Sequence, residues 1–162
     1  MKFGMLLILI TAIISCDSLP RDPQGTLAMV MKTQIIRAGV SHDPPWIQAI
    51  DTTKAPGGIE VEILQQFAET LGVRIEWTHN TEQELIHMLE GHELDIVLTG
   101  MTADTPWKEN VGLTRPYYRG ENKKHVLAIP SGENAWLMAL EKFIEDNSDL
   151  IEQTIAKSNR VI

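Results

Sequence analysis

Between Gln34 and Leu98 the chain alternates three strand patterns with two helix patterns, and this narrows the fold more than any other feature. Gln34-Ile35-Ile36-Arg37-Ala38-Gly39-Val40 reads as a strand. His42 to Gly58 is a loop, broken by Pro44, Pro45, Pro56, Gly57 and Gly58. Ile59 to Leu71 has the helical period: Ile63, Phe67 and Leu71 recur every four residues with Leu64 and Ala68 beside them, and Gly72 suits a left-handed helix end. Val73 to Thr78 is a second strand. Thr81-Glu82-Gln83-Glu84 carries a capping-box pattern before the apolar stripe of Leu85, Met88 and Leu89. Leu94 to Leu98 is apolar except at Asp95, as a buried parallel strand is. Helical crossovers joining successive strands imply parallel pairing and right-handed connections. The fold class is therefore α/β, one three-layer lobe with a mostly parallel sheet between helices. Val111 to Thr114 and His125 to Ile129 read as further strands, Asn134 to Glu145 and Asp149 to Lys157 as closing helices.

The ends of the chain differ from this pattern. MKFGMLLILITAIISC has one Lys, an apolar run from Phe3 to Ile14, and then Cys16. That is the form of a secretory signal peptide, with an apolar core too short to span a bilayer. Residues 1–15 are read as the signal peptide. Residues 16–32 are read as a flexible tether holding Pro20, Pro23 and Gly25, and residues 33–162 as the folded lobe. Cys16 is the only cysteine, so no internal disulfide can form.

Charge and motif searches exclude several functions. A formal net charge of -8 argues against nucleic acid, which needs clustered Lys and Arg. The five histidines, at 42, 79, 87, 92 and 125, do not have metal-ligand spacing. No nucleophile triad, phosphate loop or paired-carboxylate motif stands out, and nothing in the pattern requires a cofactor.

Four segments together resemble the first lobe of the family 3 extracellular solute-binding proteins, the periplasmic amino-acid receptors of ABC importers. They are Ile36-Arg37-Ala38-Gly39-Val40 with Pro44-Pro45-Trp46; Gly58 to Ile63 through Leu71-Gly72-Val73; Glu84 to Gly91 leading to Leu94-Asp95-Ile96-Val97-Leu98-Thr99-Gly100-Met101-Thr102; and Leu113-Thr114-Arg115-Pro116-Tyr117. The resemblance implies a binding protein rather than an enzyme, with a small solute, such as an amino acid, as ligand. It implies ligand contacts from Trp46, Thr99, Gly100, Met101, Thr102, Trp107 and Lys108. Ile13-Ile14-Ser15-Cys16 resembles a lipoprotein box, which implies a lipid on Cys16 as the sole membrane attachment. Asp17 after it resembles an inner-membrane retention signal, so the expected location is periplasmic at that membrane. An ABC permease, or another protein at the exposed hinge face, is the implied partner, and homodimerisation across that face is one way to supply a second wall.

Two departures from the family pattern stand out. Lys124 to Gly132 resembles the strand that returns from a second lobe, yet it follows Pro116-Tyr117-Tyr118 within a few residues. The second lobe is missing, and residues 119–123 become a turn. The Arg that grips a ligand carboxylate in amino-acid receptors is replaced by Trp107, whose indole offers one neutral donor. Asp104 replaces a hydroxyl of the same loop. These departures suit an alternative reading, an interaction or sensory module whose ligand site has decayed.

Overall fold

The central strand of the sheet is β1 (Ile35–Val40). It pairs in parallel with β2 (Arg74–His79) on one side and β3 (Ile96–Leu98) on the other. This is a computed structural model that describes residues 22–120 and 122–158. The signal peptide and Cys16 lie outside the described residues. Helix α2 (Ile59–Leu71) crosses from β1 to β2, and α3 (Glu82–Glu90) crosses from β2 to β3. Two short strands complete the sheet as antiparallel additions, β4 (Gly112–Leu113) and β7 (Ala128–Ile129), giving the order β2-β1-β3-β7-β4. A separate hairpin pairs β5 (Tyr118–Arg119) with β6 (Lys124–His125). Helices α4 (Asn134–Asp146) and α5 (Ser148–Ser158) close the lobe.

Strand alternation sends side chains to two separate cores. Ile36, Ala38, Val40, Ile96 and Leu98 join α2, α4 and α5 around Phe67, Trp136 and Phe143. Val97 and Ala128 face the other way and pack with Leu85, Ile86 and Leu89 of α3. Gly39 permits that second contact, since a Cβ there would lie 2.7 Å from Leu85 Cδ2. The three-layer α/β lobe expected from the sequence is the observed fold. Asp95, the polar residue beside β3, is buried against the Arg37 guanidinium, and its carbonyl accepts the Trp136 indole N–H at 2.8 Å.

The tether differs from expectation. Thr26–Thr33 is a helix, α1, with Val30 buried in the first core. Its own cap, Gly25, has no side chain to accept the free N–H groups. Buried Glu133 accepts one of them instead, from Thr26 N at 2.7 Å, and also takes Gln24 N ahead of the helix at 2.8 Å. The capping group lies 107 residues away from Thr26, so a local reading of Pro and Gly sees only a linker. The folded unit therefore includes Asp22 onward among the described residues. The single strand expected over His125 to Ile129 is also two strands. Between them Val126 N turns to Met101 O and Leu127 N to the Thr114 hydroxyl, as the chain passes from hairpin to sheet.

Candidate ligand-binding face

The loop after β1 is held against the start of α2. Ile59 N and Glu60 N donate to the carbonyls of Pro45 and Trp46, at 3.3 and 3.1 Å, so loop carbonyls cap the helix. Gly58 makes this approach possible: its φ is 106°, and a Cβ there would stand 2.4 Å from Trp46 O. The docking fixes Trp46 and Glu60 together, at the C-terminal ends of parallel strands β1 and β3.

Glu60 is fully buried beneath the loop that follows β3. Its carboxylate accepts Gly100 N at 3.2 Å and the Tyr117 hydroxyl at 2.7 Å. Burial pushes the Glu60 carboxyl up to about 7, against the pull of those two donors. Burial and the Glu60 charge together raise the Tyr117 phenol well above its ordinary range. Gly100 adopts φ +66°, where a Cβ would lie 2.3 Å from Asp43 Oδ2 and 2.9 Å from Trp46 Cδ1. Asp43, Trp46 and the Gly100 backbone are therefore in direct apposition.

His125 closes one side of this corner. Its ring stacks on Trp46 with centroids 3.7 Å apart and planes 27° apart. A carbonyl oxygen can only accept, so Nδ1 donates to Gly100 O at 3.1 Å. Burial pushes the His125 pKa down, although the hydrogen bond to Gly100 opposes it. The neutral ring then leaves Nε2 as an acceptor. Tyr117 and Tyr118 complete the aromatic wall around Trp46, at 6.1 and 5.7 Å. The returning strand also fastens the loop, through Val126 N to Met101 O and Ala103 N to Lys124 O.

The expected ligand residues divide into two groups. Trp46 and Gly100 meet at the corner, and the Thr99 hydroxyl beside them is buried without a hydrogen-bond partner. Thr102 stands at the loop's exit, its hydroxyl donating to Asp104 Oδ1 at 2.6 Å. That bond holds the Asp104 carboxyl below its usual range. The Met101 side chain is turned into the second core. Trp107 lies on a short 3-10 turn (Pro106–Glu109), packs on that same core, and donates its indole N–H to Glu82 Oε1 at 2.7 Å. Lys108, next to it, is exposed. Asp43, Glu60 and His125 were not expected at the site. For Glu60 a signal existed: it lies three, four and seven residues before Ile63, Leu64 and Phe67, on the buried stripe of α2. An acid in the first helical turn reads more simply as a complement to the helix dipole.

An α/β lobe with loops converging at the C-terminal ends of its parallel strands is the form of one domain of a periplasmic binding protein. The chain belongs to the bacterial extracellular solute-binding proteins, family 3, whose pattern matches residues 36–158. Among curated relatives, a probable ABC transporter arginine-binding protein, ArtJ, of Chlamydia trachomatis is 28% identical over 105 residues, 65% of this chain and 40% of the relative. A membrane-bound lytic murein transglycosylase F of Alteromonas mediterranea is 25% identical over 173 residues, 95% of this chain and 36% of the relative. The chain thus spans well under half the length of these relatives. Among solved structures, the arginine-bound form of domain 1 from TmArgBP superposes with a TM-score of 0.66 at 22% identity, covering 73% of this chain and 97% of that one. The ancestral amino-acid-binding protein AncCDT-1, a precursor of cyclohexadienyl dehydratase, superposes with a TM-score of 0.72 at 16% identity, covering 83% and 99%. Binding proteins predominate among these relatives, with the transglycosylase standing apart.

Proposed function

We propose that this chain is the solute-binding component of an ABC importer. In this reading it is exported to the periplasm, tied to the inner membrane by a lipid on Cys16, and holds a small polar organic solute of amino-acid size. The observation that carries the reading is the corner where Trp46 and Asp43 meet the left-handed Gly100. It is preformed, since buried Glu60 ties the Gly100 loop to the Tyr117 hydroxyl from below. A preformed corner spares a ligand the entropy of ordering the loop. The names of ArtJ and of the arginine-bound domain 1 support it, the second because a single domain there holds a ligand.

A thermal-shift screen of the exported chain against amino acids, polyamines and small organic acids tests the proposal. A solute that binds only the folded state raises the melting temperature when present well above its Kd. A flat screen on a cooperatively folding chain would overturn it. A second reading, a protein-interaction module, is favoured by the His125 ring that already covers one face of Trp46. It predicts a flat screen and a crosslinked partner, or a second copy of this chain, that is lost in Trp46→Ala.

A further inference from the structure

The two edges of the sheet are built differently. Strand β4 at one end is two residues long, and a very short strand is how natural sheets blunt an edge. Strand β2 at the other end is six residues long, and Val73 to His79 contains no Pro, Gly or Lys to discourage pairing. Parallel pairing with β1 uses only alternate residues of β2. Arg74 N donates to Gln34 O at 3.0 Å and Asn80 N to Val40 O at 3.3 Å, so Arg74, Glu76 and Thr78 turn their amides and carbonyls toward β1. Ile75 and Trp77 turn theirs outward, and among the described residues no strand pairs with that side. We propose that this edge is the contact for a second copy of the chain, with the two β2 strands paired antiparallel about a twofold axis at Ile75.

The strand is complementary to itself in that register. The axis sets Ile75 opposite Ile75, Arg74 opposite Glu76 and Val73 opposite Trp77 of the second copy. The two Ile75 residues exchange a pair of backbone hydrogen bonds, and each Trp77 N–H meets a Val73 carbonyl. Val73 N is already used, donating to Ala68 O at 3.0 Å at the end of α2, and the register does not call on it for more. On one face Arg74 and Glu76 are exposed, bridged to each other within the strand at 3.3 Å. The second copy sets an opposite charge directly across from each, a cross-strand arrangement that stabilises a sheet. On the other face Val73, Ile75 and Trp77 are half-buried beside α2, where with Gln65, Ala68 and Glu69 they line an open groove of about 430 Å³. Pairing at Ile75 lays these apolar side chains against their counterparts. The neighbouring registers lose the match. An axis at Glu76 sets Glu76 against Glu76, and an axis at Trp77 sets Arg74 against Asn80 and Glu76 against Thr78. Charge thus selects the register, and the match of the strand to itself selects a second copy of this chain as the occupant. The contact uses neither Trp46 nor Gly100, so it stands apart from the solute reading.

Sedimentation of the chain from residue 16 onward, carrying Cys16→Ser, tests the pairing between about 10 μM and 1 mM, the range suited to a small interface. The expected result is a monomer–dimer equilibrium that shifts with concentration. Arg74→Glu and Glu76→Arg should each keep the fold by circular dichroism and raise the dimer Kd about tenfold or more, since twofold symmetry turns one substitution into two like-charge contacts. The double variant, Arg74→Glu with Glu76→Arg, should return the Kd to within about threefold of the unaltered strand. Ile75→Cys in the same background should close a disulfide between copies under mild oxidation, because directly opposite residues bring their Cα atoms to about 5.5 Å. Trp77→Cys should not, because it lies about 13 Å from its counterpart along the strands. A chain that stays monomeric throughout this range overturns the proposal. So does a dimer that survives both charge reversals, or whose loss the double variant fails to reverse, because its contact then lies elsewhere, as on the aromatic face around Trp46. A disulfide that closes at Trp77 as readily as at Ile75 overturns the register and the proposal with it.

Discussion

Glu60→Gln removes a titrating carboxyl from beneath the Gly100 loop while keeping its shape and one accepting oxygen. In the unfolded chain this carboxyl titrates near 4.5, and burial raises it to about 7 in the folded lobe. Below pH 4.5 both states are protonated and burial costs nothing in charge. Between 4.5 and about 7 the unfolded chain releases the proton while the folded lobe keeps it. The folded state then binds more protons, so its stability falls as pH rises, and it levels off above about 7. Tenfold per pH unit across that interval comes to about 3 kcal/mol, or a melting-temperature change of about 10 °C for a domain of this size. Gln has no such titration. Its carbonyl oxygen can accept Gly100 N–H, and the Tyr117 hydroxyl must turn to accept its amide, at a cost of about 1 kcal/mol. The variant should therefore match the wild type or fall about 1 kcal/mol below it at pH 4.5, and exceed it by about 2 kcal/mol at pH 8. Guanidinium unfolding of both proteins at several pH values between 4.5 and 8 measures the difference. Taking the difference cancels the other titrating groups. A gap that does not change with pH would show that Glu60 is ionised in the folded lobe as it is in water, and would refute the burial account.

Three further outcomes follow from the packing. Gly100→Ala forces a Cβ to within 2.3 Å of Asp43 Oδ2 at φ +66°, so it should destabilise the lobe by about 1–2 kcal/mol and weaken any solute found in the screen, measured by unfolding midpoint and titration. Trp136→Phe should cost about 2–3 kcal/mol, because it opens space beside Phe67 and Phe143 and leaves the carbonyl of Asp95 without its indole donor; chemical denaturation measures this. Glu133→Ala should unfasten α1 before it unfolds the lobe, so amide exchange over residues 26–33 should accelerate much more than exchange in β1, with a stability loss of about 1–2 kcal/mol.

The helices and strands of the α/β core were legible because their signals are local. Helix α2 runs from Ile59 to Leu71, as the four-residue spacing of Ile63, Phe67 and Leu71 indicates, and Gly72 ends it in the left-handed conformation. Thr81 caps α3 through its hydroxyl to Glu84 N, the bond its capping box implies. Helix α1 was not legible, because its cap comes from Glu133 across the fold. The two loops that meet where Trp46 faces Gly100 were legible as loops. Their chemistry was not, since Trp107 and Lys108 attract notice by their place in the chain, yet one is spent on Glu82 and the other faces water.

Periodicity, glycine positions and capping residues are written into consecutive side chains, so they fix which segments become helix or strand, and the crossovers make the sheet mostly parallel. The direction of a hydrogen bond and the desolvation of a carboxyl depend on atoms that folding brings together from distant segments. Glu60 and Gly100 lie 40 residues apart, and Glu60 and Tyr117 lie 57 apart. Whether Glu60 is a surface charge or a buried strut is settled by that convergence. Electrostatic energies change steeply with burial, whereas side-chain spacing along the chain does not.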